Sequence, residues 1–232
     1  MKQKKSSKSV FSKKKNIFKE KTVVHIDLGC GENKRPGCIG VDFRDAQGVD
    51  LVQNLSLFPW KAIPDNAADV IYSSHLLEHI NPDSANPQLA GLIDLLLAKS
   101  LVTKTEIEAS VGEYRFLGGF IRFMDEVWRI TKPGGQFIST LPFAGSPGYW
   151  QDLTHVNPLS HVSFAYLDPY SKVEGTNQYY GLYQIYRPMP WKIVRLFYDQ
   201  NGFIEVCLEK RRIDKSYNVS SDNGMKTLKK VV

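Results

Sequence analysis

The chain has 232 residues, 42% of them hydrophobic, which suits one core with decorations better than two domains. It has no apolar run long enough to cross a bilayer and no N-terminal apolar segment with a small-residue cleavage site, so neither a membrane span nor a secretory signal is expected. The net charge of +6 sits at one end: residues 1–21 hold nine lysines against one glutamate, a net of +8, so the remainder nets −2 and is no basic nucleic-acid surface.

Residues 1–21 therefore read as a solvated, disordered arm, rich in lysine and serine, that could contact phosphates, nucleic acid or a partner. The main domain is expected over 22–212, with a polar C-terminal tail at 213–232. Strands are predicted at 22–28 (TVVHIDL), 38–43 (CIGVDF), 50–55 (DLVQNL) and 68–74 (ADVIYSS), nearly continuous in apolar residues as buried parallel strands should be. Residues 81–118 read as an inserted helical segment, a lid or an extra helix on the core edge. The spacing of Phe120, Phe123, Met124, Val127 and Trp128 predicts an amphipathic helix over 119–130. TKPGG ends it, and QFISTLP (136–142) is the fifth strand. PWKIVRLFYDQNG (190–202) reads as a helix with Pro190 near its start and Gly202 just past its end, followed by a strand at 203–209. Alternating strands and helices predict an α/β fold with a parallel sheet covered on both faces. The three cysteines, Cys30, Cys38 and Cys207, show no metal-type spacing and fit reduced thiols in a cytoplasmic compartment.

The chemistry concentrates at HIDLGCGENKRPGCIGVDF (25–43). A glycine turn after a first parallel strand lets a ligand approach backbone N–H groups, and an acid ending the second strand can accept hydrogen bonds from a ribose diol. Gly29, Gly31 and Asp42 fill these places. A dinucleotide site would need a third glycine where Lys34 stands, and a helix whose N-terminus holds pyrophosphate. Only nine residues, 29–37, separate the two strands, fewer than the roughly 10–12 of a normal crossover. A nucleoside ligand without pyrophosphate fits better, and a nicotinamide-dependent oxidoreductase is disfavoured.

DLGCG (27–31), GVDF (40–43), IPDNAADVIYSSHLLEH (63–79) and RITKPGGQFISTLP (129–142), in that order, resemble the motifs of class I S-adenosylmethionine-dependent methyltransferases. The resemblance implies a Rossmann-like seven-stranded sheet of order 3-2-1-4-5-7-6 with its last strand antiparallel, and S-adenosyl-L-methionine as cofactor. It implies that Asp27, Gly29, Cys30 and Gly31 border the methionine moiety, that Asp42 binds the ribose, that Asn54 and Leu55 lie near adenine, and that Ser74 and His75 face the sulfonium. The first crossover helix is shorter than the family's usual one.

The acceptor is harder to read. SSHL stands where amino-methylating nucleic-acid enzymes carry Asp/Asn-Pro-Pro-aromatic, and no cysteine follows the fourth strand to serve as the nucleophile of cytosine-C5 methylation. YWQDLTHVNPLSHVSF (149–164), after the fifth strand, gathers Asp152, His155 and His161. In this reading Asp152 orients one nitrogen of His155 and the other nitrogen faces an oxygen, nitrogen or carbon acceptor as general base. These three groups could equally tie down a loop. HLLEH (75–79) matches the His-x-x-Glu-His metal pattern. The methyltransferase resemblance accounts for those residues without a metal, so none is expected, and His79 reads as a helix-start or core histidine. A catalytically inactive scaffold that binds nucleic acid or an assembly through its lysine arm is the alternative function.

Overall fold

The computed structural model describes residues 17–18, 22–80, 96, 98–103, 119–172, 175 and 189–212. Its strands are β1 (His25–Leu28), β2 (Ile39–Asp42), β3 (Leu51–Val52), β4 (Ala68–Ser74), β5 (Thr131–Pro142), β6 (Trp191–Tyr198) and β7 (Phe203–Lys210). Its α-helices are α1 (Gly119–Ile130), α2 (Pro147–Trp150) and α3 (His161–Ala165), and a short 3-10 turn spans Leu77–His79.

The sheet order is β3-β2-β1-β4-β5-β7-β6, as the resemblance implies. β1 pairs in parallel with β2 (Ile26 opposite Ile39) and with β4 (Ile26 opposite Ile71). β7 runs antiparallel between β5 and β6. β2 is buried along its whole length and β1 nearly so, which is why their sequences are apolar without alternation. α1 forms where the helical periodicity places it and buries Phe123, Met124, Val127 and Trp128 against the sheet. Its last turn is tied off by the Thr131 hydroxyl, which donates to the Val127 carbonyl at 2.6 Å.

Two expectations need correction. The segment read as a helix over 190–202 is the edge strand β6, bonded to β7 with Lys192 opposite Glu209 and Leu196 opposite Val206. Trp191, Ile193, Val194, Phe197 and Tyr198 are β-branched or aromatic and suit a pleated surface. The apparent helix stop at DQNG is a hairpin: the Asp199 amide donates to the Phe203 carbonyl at 2.9 Å, Asp199 Oδ1 accepts from the Asn201 and Phe203 amides, and Gly202 turns the chain at φ +87°. The third strand is also shorter than its predicted 50–55, because Leu55 leaves the ladder and enters the core.

Between β1 and β2 the chain makes turns only, so the first crossover carries no helix. Within the basic arm, Ile17 and Phe18 are partly buried against the core. The rest of that arm, the C-terminal tail and most of 81–118 lie outside the described residues. Among the described residues no helix is long and apolar enough to cross a membrane.

Candidate functional site: a glycine turn and a histidine cluster

Gly29 and Gly31 adopt φ of +70° and +51°, in the left-handed region where side chains are strained. A Cβ at Gly29 would lie 3.0 Å from Leu76 Cδ1, so the turn is pressed against the segment that follows β4. The amides of Gly29 and Cys30 donate to the Val41 carbonyl, at 2.8 and 3.3 Å, and the Gly31 amide donates to Asp42 Oδ2 at 2.9 Å. The turn after β1 is thereby clamped to the end of β2.

Asp42 is 4% exposed, and its Oδ1 accepts from the Arg44 amide at 3.0 Å and from Arg44 Nε at 3.4 Å. Burial opposes its ionisation, but the Arg44 and Gly31 donors outweigh it and hold the carboxyl below the usual range. Oδ2 has one amide partner and keeps a lone pair for a hydroxyl. Asp27, next to last in β1, behaves oppositely: burial raises its pKa despite the Arg35 amide at 2.8 Å, so a cation beside it would favour the charged form. Burial, then the Asp27 and Asp42 charges, push the Cys30 thiol up to about 11, which leaves it a neutral lining residue.

The remaining expected cofactor residues are divided. Ser74 and His75 stand exposed at the end of β4, and His75 takes φ +51° as its amide bonds the Thr140 carbonyl at 2.9 Å. Asn54 is exposed at the end of β3 and its Oδ1 accepts from the Ser56 amide, whereas the Leu55 side chain belongs to the core.

A second cluster forms where the 3-10 turn meets the loop after α2. The Glu78 carbonyl accepts from the Val156 and Asn157 amides at 2.9 and 3.0 Å, and Asn157 Nδ2 donates to the Leu77 carbonyl at 3.0 Å. These bonds bring Asp152 and His155 beside His79, whose ring centroid is 4.8 Å from that of His155. His155 Nδ1 donates to the Tyr149 carbonyl at 2.7 Å, and its Nε2 lies 3.7 Å from Asp152 Oδ2 and 4.0 Å from Glu78 Oε1. The expected orientation is thus reversed: a backbone carbonyl fixes the tautomer, and Asp152 faces the nitrogen that carries the lone pair. Asp152 Oδ1 accepts from the Thr154 hydroxyl and amide, which together hold its carboxyl below the usual range.

His75 Nδ1 approaches Glu78 Oε1 at 3.2 Å, and that carboxylate raises the histidine's pKa. The contact falls outside hydrogen-bond geometry, so both Glu78 oxygens are buried without a hydrogen-bond partner among the described residues. HLLEH is not a regular helix, so His75 and His79 do not form the one-turn pair that the pattern suggests. Sequence reasoning notices Glu78 only as part of the HLLEH pattern and misses Asn157, because their roles arise only when the segment after β4 meets the one after β5. His161 stands apart at the start of α3 and lines an apolar concavity of about 300 Å³ with Phe143, Leu196, Phe197 and Tyr198.

With this strand order, the glycine turn and the acid closing β2, one conclusion is fixed. The fold is that of the class I methyltransferases. No protein-family model matches the sequence, and no curated protein does. Among solved structures, the chain is similar to a SAM dependent methyltransferase from Aquifex aeolicus at 10% identity and TM-score 0.41, over 81% of this chain and 82% of that one. It is also similar to an S-adenosylmethionine dependent methyltransferase from Mesorhizobium loti at 14% identity and TM-score 0.39, over 81% and 90%. A third is a putative type 11 methyltransferase from Sulfolobus solfataricus, at 16% identity and TM-score 0.39, over 88% and 92%. Likenesses this distant carry no weight in assigning an activity, which rests on the site itself.

Proposed function

We propose that the chain binds S-adenosyl-L-methionine at the C-terminal ends of β1, β2 and β4 and transfers its methyl group to an oxygen, nitrogen or carbon nucleophile. The carrying observation is Asp42: an ionised carboxylate at the end of β2, held by the Gly31 amide with a lone pair to spare. The residues fit the group. The turn at 29–31 admits close approach, Asp42 suits the ribose diol, Asp27 suits the methionine ammonium, and the stretch at Asn54 and Leu55 adjoins adenine. Ser74 and His75 border the reactive end.

S-adenosylmethionine, when bound, supplies a methyl group on an electrophilic sulfonium. The chain's part is to hold the acceptor in line with it, which alone can supply several kcal/mol. Transfer would form the acceptor–carbon bond as the carbon–sulfur bond breaks, so the chain's task would be to keep the acceptor, carried on the segment after β5, in line with Ser74 and His75 at the reactive end. Where the acceptor carries a proton, Nε2 of His155 takes it, with Asp152 at 3.7 Å to stabilise the imidazolium. The exposed side chains of Trp150 and Leu153 flank this cluster in sequence and give the acceptor an apolar rim.

Calorimetric titration with S-adenosylmethionine and S-adenosylhomocysteine tests the reading. Loss of charge-assisted hydrogen bonds costs about 1.5–3 kcal/mol, so Asp42→Ala should bind about tenfold to a hundredfold more weakly. A folded wild type that releases no heat with either ligand would leave the inactive scaffold, using its lysine arm on nucleic acid, as the better account.

A further inference from the structure

We infer that Glu78, His79 and His155 form a divalent-cation site beside the nucleoside cleft. One ligand atom from each lies within 4.8 Å of the others. Donors sharing one tetrahedral ion at about 2.0–2.2 Å lie about 3.3–3.6 Å from one another, so side-chain rotations that bring the donors together by about 1 Å close the set. The Glu78–His155 separation of 4.0 Å is within about half an ångström of that spacing.

Three independent features point to an ion rather than a hydrogen-bonded knot. Glu78 is fully buried, yet both its oxygens lack hydrogen-bond partners among the described residues, a costly arrangement for a carboxylate. Each histidine is set in the tautomer a metal needs. His155 Nδ1 faces the Tyr149 carbonyl at 2.7 Å, and His79 Nδ1 faces the Thr154 carbonyl at 3.2 Å and the Thr154 hydroxyl at 3.1 Å, whose own hydrogen goes to Asp152 Oδ1; with only acceptors opposite, both hydrogens sit on Nδ1 and both Nε2 atoms keep their lone pairs. Finally, backbone bonds from Val156 and Asn157 to Glu78 fix the two contributing segments to each other independently of the side chains. His75 places one cationic candidate near Glu78 Oε1, but it is half exposed and misaligned. Two imidazoles and a carboxylate suit zinc, manganese, iron(II) or cobalt, with Asp152 Oδ2 near enough to join or to bond a coordinated water.

Leu76, packed on Gly29, stands two residues before Glu78, so the ion would sit on the acceptor side of the glycine turn. This further step rests on the methyl-transfer reading: an open coordination position would bind an acceptor hydroxyl and lower its pKa, so that its proton passes to solvent water instead of to His155.

The test uses the full chain, stripped with a chelator, titrated with zinc by calorimetry and with cobalt(II) by visible absorption. The expected result is one ion per chain, with affinity reduced at least about tenfold in Glu78→Gln and in His79→Gln. Glu78→Gln keeps the shape of the buried side chain and His79 is only half-buried, so at least one variant should retain the wild-type circular dichroism. No binding of zinc, cobalt or manganese by the wild type overturns the site. Undiminished binding in a folded variant does the same, as does a thiolate charge-transfer band placing the ion on a cysteine. Titration with S-adenosylmethionine is a separate readout: metal without nucleoside binding leaves the site standing and removes the methyl-transfer reading, and the reverse removes only the site.

Discussion

Glycine at position 29 answers two demands at once, a left-handed backbone at φ +70° and an approach to Leu76 that a methyl group would bring to 3.0 Å. Gly37 makes only the first demand, with φ +80° and nothing within 4 Å of an added Cβ. The pair therefore separates backbone strain from crowding. Gly37→Ala should cost about 1–2 kcal/mol, the left-handed penalty alone. Gly29→Ala should cost more than this, because both the Cβ and a Cδ of Leu76 must give way, and it should weaken S-adenosylmethionine binding as the turn shifts. Urea unfolding of the two variants beside wild type measures the difference. Equal midpoints would mean that Leu76 moves aside freely and that the turn is not braced by the segment after β4.

At the scale of elements, legibility follows burial. β1, β2 and β4 are visible in the sequence because strands covered on both faces must be apolar throughout, and α1 because one face meets the sheet. β6 is misread because a register shift between Ile193 and Arg195 breaks its alternation, leaving Trp191, Ile193 and Leu196 as its inward residues, and the terminal Gly202 imitates a helix C-cap. Asp42 and the glycine turn are legible as a local motif, whereas the Glu78–His155 cluster is not, since it joins residues 77 positions apart. A comparable long-range tie closes the other end of the sheet. Lys210 of β7 is 7% exposed and donates to the Trp128 and Thr131 carbonyls at 2.7 Å each and to Asn66 Oδ1 at 2.9 Å. Burial lowers its pKa to about 8, below the ordinary lysine range. Between pH 8 and about 10.4 the unfolded chain thus binds more protons than the folded one, so this group makes stability rise with pH across that window. Lys210→Met should lose that rise and, at pH 7, cost about 1–3 kcal/mol for the carbonyls left unpaired. Urea midpoints at pH 7 and pH 10 check both, and parallel pH profiles for wild type and variant would contradict the assignment.

For the whole molecule the decisive asymmetry is charge, +8 on residues 1–21 against −2 on everything else. The arm is therefore where polyanion affinity is expected. The packing of Ile17 and Phe18 on the core sets where the arm can be cut without opening that core. A chain beginning at Ile17 keeps both side chains and loses seven of the nine lysines. If the arm contacts phosphates, the full chain should bind RNA or DNA with a log–log salt slope of about −0.7 to −0.9 per contact, since each contact releases a condensed counterion. The shortened chain should lose most of that slope while its affinity for S-adenosylmethionine stays within about twofold, because no cleft residue is touched. Anisotropy of a labelled oligonucleotide over about 50–200 mM salt, a range in which several contacts change affinity by orders of magnitude, gives the slope for each chain. Identical slopes would place nucleic-acid binding on the acidic body, against its charge, and would dismiss the arm as the contact.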